Sequence, residues 1–150
     1  MNQSEAQSLQ FSAPVQFKRE RLRLADFRFR RTSDGRCTAE VELEWLDGVR
    51  VCGAASGQSS STVDLRVAAD ATLRALERFA EQSLVFELIG VKAVRAFDAN
   101  VIIVSVATKK GDGPKRMLGS ALVEVDTTRG AVVAVLNATN RVLGNFIATR

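Results

Sequence analysis

The chain has 150 residues, 46% hydrophobic and 25% charged, with a formal net charge of +4, the balance of one ordinary globular domain. A chain of this length can bury a sufficient core without disulfides or metal, so Cys37 and Cys52 are read as core or strand residues with free thiols. Histidine is absent and no Cys-x-x-Cys occurs, which removes the usual structural zinc sets and the commonest general base and leaves no cofactor to expect.

The N-terminal stretch over 1–20 is polar and rich in small side chains as far as about Gln16. It lacks the basic start and apolar run of a secretory signal, and no later window approaches a membrane span, so a cytoplasmic location is expected. This stretch is read as an arm preceding a single domain over 21–150, although Phe11, Val15 and Phe17 could dock on a partner.

A first strand is expected from Leu22 to Arg31, where the apolar phase slips between Leu24 and Phe27 and predicts a bulge near Ala25-Asp26. Cys37, Ala39, Val41, Leu43 and Trp45 then alternate with Thr38, Glu40, Glu42 and Glu44, the period of a strand with one buried and one wet face. Asp34-Gly35 and Asp47-Gly48 tolerate positive φ and close hairpins on either side, so a third strand follows from Val49 to Ala55. After a loop at Gly57-Gln58-Ser59-Ser60-Ser61, Leu65, Ala68, Ala69, Leu73, Leu76, Phe79 and Ala80 fall on one helical face, with Arg66, Asp70, Arg74 and Glu77 opposite. Ser60 to Thr62 supply candidate N-caps.

The second half repeats the plan: strands at Leu84 to Phe97, Val101 to Thr108 and Arg116 to Val125, then a helix from Asp126 or Thr127 to about Leu143. Turns are expected at Asp98-Ala99-Asn100 and at Lys109 to Pro114. Arg129, Ala131, Ala134, Leu136, Ala138 and Arg141 match Arg66, Ala68, Ala71, Leu73, Ala75 and Arg78 of the first helix at constant spacing. The fold class is therefore α+β: two tandem βββα units, over about 21–82 and 84–147, with antiparallel sheets packed on two helices. Val101 to Val106 is apolar on both faces, and Ala131 to Leu136 leaves little polar surface around the last helix. A partner subunit is expected to cover Val101, Ile103, Val132, Val133 and Leu136, which makes a homodimer.

From Gly119 to Thr127, followed by Ala131, Ala134, Ala138 and Asn140-Arg141, the chain resembles the C-terminal regulatory domain of isopropylmalate and citramalate synthases. Gly53, Gly57 and Val63-Asp64 look like a loosened form of that family's glycine-rich segment, and the resemblance spans about Leu22 to Leu143. It implies paired βββα units and a dimerising module that binds an amino acid or related effector near its glycine-rich segments and helix starts.

Free amides at a helix start can hold a carboxylate. The residues expected to line a site for an anionic or zwitterionic metabolite are Gly53, Gly57, Ser59, Ser60, Ser61, Thr62 and Asp64, with Asp126-Thr127 as a second place. Lys18, Arg19, Arg21, Arg23, Arg28, Arg30 and Arg31, interleaved with Phe17, Phe27 and Phe29, have the composition of a phosphate-tracking surface, but Glu20 and Asp26 interrupt the run and the glutamates of the next strand can pair with it, so nucleic acid is not expected as a partner. No nucleophile, base and electrophile assemble, and no enzyme is expected. The expected function is a non-catalytic, regulatory or metabolite-binding homodimerisation domain; the alternatives are a structural dimerisation scaffold without a small ligand and a weak basic nucleic-acid binder.

Overall fold

A computed structural model describes residues 22–110 and 116–148, without the side chains of 110 and 145–148. The arm and most of the Lys109 to Pro114 turn lie outside the described residues. The order is β1 (Arg23–Arg31), β2 (Arg36–Glu44), β3 (Arg50–Gln58), α1 (Ser61–Phe79), β4 (Val85–Ala96), β5 (Ala99–Lys110), β6 (Arg116–Val123) and α2 (Thr127–Ala148). Two antiparallel sheets, β1-β2-β3 and β4-β5-β6, are each followed by a helix, an α+β fold of tandem βββα units as the periodicity predicts. Among the described residues no helix is long and apolar enough to cross a membrane.

The first two hairpins are built alike. Gly35 and Gly48 have φ of 84° and 88°, their amides donate to Thr32 O and Trp45 O, and the carboxylates of Asp34 and Asp47 accept from the amides of Arg36 and Val49. These are type I turns closed by a left-handed glycine. The expected bulge lies between Leu24 and Asp26. The β4–β5 turn differs: Phe97 and Asp98 both have positive φ and Ala96 pairs with Ala99, a two-residue hairpin tighter than the expected Asp98-Ala99-Asn100 turn.

The serine loop also shortens. β3 continues to Gln58, paired with Arg36, the Ser59 amide donates to Gly35 O, and Ser60 caps α1 by accepting from the Val63 amide at 3.1 Å. Backbone pairing, which the sequence pattern does not register, carries the strand past the last apolar residue.

Each helix packs on its own sheet, the helices pack on each other, and α1 also meets β4, so one core runs through both units. Glycines set the helix–sheet spacing. A Cβ on Gly53 would stand 2.2 Å from Ala71 O and 2.3 Å from Ala75 N, and one on Gly119 would stand 2.2 Å from Ala134 O and 2.5 Å from Ala138 N. The same close approach of helix backbone to the third strand thus occurs in both units, on the alanines that match between the helices.

Much of the apolar girth of α2 is buried inside the chain. Val132, Val135, Ala131 and Ala134 are fully buried, and Val133 and Leu136 are half-buried, because α2 is held between its sheet and α1. Val132 is therefore closed to a partner, a correction to the expected interface.

Candidate functional site

The junction of β3 with α1 brings the predicted ligand residues together, but their groups are engaged with one another. Asp64, buried in the first turns of α1, accepts from Arg31 Nη2 at 2.6 Å and Nε at 3.2 Å and from Ser59 Oγ at 2.8 Å. Burial would raise its pKa, but the Ser59 hydroxyl, the Arg31 guanidinium and the Cys37 thiol together outweigh it and hold the carboxyl below its ordinary value. Arg31 ends β1, Cys37 opens β2 and Ser59 follows β3, so one carboxylate ties all three strands to the helix start.

Gly53 faces the backbone of α1, and a Cβ on Gly57 would touch Val63 and Val67 at 3.1 and 3.2 Å. Both glycines serve packing, and Ser60 is committed as the cap, which leaves Ser61 and Thr62 exposed in the first turn. The second predicted place is similarly committed: Asp126 accepts from the Arg129 amide at 3.1 Å and from Thr128 Oγ1 at 2.7 Å, capping α2. The Cys37 thiol has its pKa raised, first by burial and then by Asp64, the opposite of what a nucleophilic cysteine requires. Among the described residues no three His, Cys, Asp or Glu side chains gather as a metal set.

The outer faces of the two sheets differ sharply in chemistry. On the first sheet Arg23 pairs with Glu44, Arg28 with Asp26, Arg30 with Glu40, and Arg50 with both Glu42 and Glu44, a solvated lattice of alternating charge. The basic run of β1 is thus largely neutralised by its neighbours. On the second sheet the register places Val94, Val101 and Leu122 in one row, Lys92, Ile103 and Ser120 in the next, and Gly90, Ser105 and Leu118 beyond it. Leu118 is 71% and Leu122 68% exposed, Ile103 and Ile89 are also exposed, and Phe97 at the β4–β5 hairpin tip is 94% exposed. The strand parity that predicted an apolar outer face at Val101 and Ile103 finds that face, and β6 contributes Leu118 and Leu122, which sequence reasoning missed. They were legible: Leu118, Ser120 and Leu122 alternate with Met117, Gly119, Ala121 and Val123.

A second arrangement had no local signal. Glu77 Oε2 accepts from the Phe86 amide at 2.7 Å, Arg74 Nη2 donates to Phe86 O at 3.3 Å, and the two side chains pair at 3.4 Å. Residues assigned to the wet face of α1 thus clamp the main chain of β4 and join the two units, and Glu77 is buried. The partner is a backbone segment of the other unit, which helical periodicity cannot reveal.

No protein-family model and no curated protein matches the chain.

Proposed function

We propose that this chain is a non-catalytic homodimerisation module of the regulatory kind, docking through the outer face of the second sheet. The observation that carries this reading is the contrast between the two units. Equivalent faces of equivalent sheets hold a charge lattice in one unit and Val94, Val101, Ile103, Leu118 and Leu122 in the other. Since the units share their strand plan and helix spacing, the fold does not require the apolar side chains, and contiguous exposed apolar surface marks an interaction site. The resemblance to synthase regulatory domains supports the same class. Small-ligand binding is the weaker part of the expectation, because Gly53, Gly57, Ser59, Ser60 and Asp64 are engaged in packing, capping and the Arg31 ion pair.

Light scattering across the micromolar range tests the reading. A dimer is expected, with Ile103→Lys and Leu118→Lys shifting the mass to the monomer while Ser56→Lys, on the outer face of the first sheet, leaves it unchanged. A wild-type chain that stays monomeric throughout overturns the proposal.

A further inference from the structure

The same face carries a charge pattern that specifies how two copies would meet. Resting on the dimer reading, we propose that the outer face of the second sheet packs on its own copy about a twofold axis running along β5, so that Glu87 of each chain opposes the partner's Arg116.

The register puts Glu87, Ala107 and Arg116 in one row across β4, β5 and β6. Glu87 and Arg116 are both exposed and lie on opposite edge strands, their backbones about 9.5 Å apart across two strand spacings. Neither forms an ion pair among the described residues, unlike Arg23, Arg28, Arg30 and Arg50 on the first sheet.

Two sheets packing face to face keep their strands within about 30° of one another, and a twofold interface must be self-complementary. An in-plane twofold axis can run along the strands or across them. Along β5, each row meets its own reversal: β4 lies over the partner's β6, Ile103 and Val101 meet their counterparts near the axis, and Val94 meets Leu122. The end row then places Glu87 against the partner's Arg116 and Arg116 against the partner's Glu87, two equivalent ion pairs at the rim. Lys92 faces Ser120. An axis across the strands would instead lay the Glu87 and Arg116 row over Val94, Val101 and Leu122, setting both charges on apolar surface without a counter-charge. Complementarity of the end row therefore selects the axis along β5, which sets Glu87 and Arg116 against their opposites and leaves Lys92 beside the neutral Ser120.

The test is a charge swap read by analytical ultracentrifugation, after circular dichroism and thermal melting confirm folded chains. Glu87→Arg and Arg116→Glu, each alone, place like charges at both rim contacts and should each weaken the homodimer about tenfold or more. Mixed in equal amounts, the two single variants should form a heterodimer with both pairs restored, and the double variant should recover the homodimer. If the single variants dimerise as wild type while Ile103→Lys abolishes the dimer, the face is right and this axis is wrong. If the singles are weakened but neither the mixture nor the double variant recovers, the opposition of Glu87 and Arg116 is refuted. A monomeric wild type removes the dimer reading itself.

Discussion

Placing a methyl group at Gly53 should disturb the close approach on which the first unit depends. Its Cβ would lie 2.2 Å from Ala71 O, 2.3 Å from Ala75 N and 2.9 Å from Ala75 Cα, whereas non-bonded carbon atoms are comfortable at about 3.5 Å or more. All three obstacles are backbone atoms, so no side chain can swing aside and α1 must lift from the sheet by about 1 Å, a gap that forfeits a quarter to a half of each contact it opens. We expect Gly53→Ala to destabilise the fold by about 3 kcal/mol, the upper end for overpacking, and to lower the melting temperature by about 6 to 12 °C for a chain of this size. Gly119→Ala should cost a similar amount, because it meets Ala134 and Ala138 in the same way. Gly144→Ala is the control: nothing lies within 4 Å of its Cβ, and removing backbone freedom from the unfolded chain should leave it neutral or more stable by about 0.5 kcal/mol. Urea denaturation at one protein concentration measures all three. A Gly53→Ala chain within about 0.5 kcal/mol of wild type would refute the argument that helix backbone fills that space.

Glu77→Ala should destabilise by about 3 kcal/mol in the same urea assay, since it orphans the Phe86 amide and leaves Arg74 without its carboxylate; no change would show that the clamp is incidental. Asp64 has a folded pKa below its unfolded value, so its contribution is fully present above the unfolded value near pH 4 and is lost as pH falls through the lower folded value. The stability difference between wild type and Asp64→Asn should accordingly be about 1 to 3 kcal/mol at neutral pH and shrink on acidification, and a pH-independent difference would contradict the ion-pair account. Filter binding to single- and double-stranded nucleic acid should show at most weak retention that physiological salt abolishes, because Arg23, Arg28, Arg30 and Arg50 are already paired. Tight binding that persists at that salt would mean the lattice opens to phosphate.

Local patterning was enough to determine the element order, the βββα repeat, the Asp-Gly hairpins at Gly35 and Gly48, the bulge after Leu24 and the apolar outer face at Val101 and Ile103. Each rests on a period or a turn residue written in consecutive positions, and local sterics enforce both. Tertiary structure alone decided what covers each face. Val132 reads from sequence as a residue in need of a partner and is buried by α1 and its own sheet. Gly53, expected to line a ligand site, gives its space to helix backbone, and Asp64, expected to line the same site, is held by Arg31 from a strand 33 positions away. Periodicity reports that a side chain will be buried or free, whereas the identity of its neighbour depends on how distant segments stack, and that is encoded in no window of the sequence.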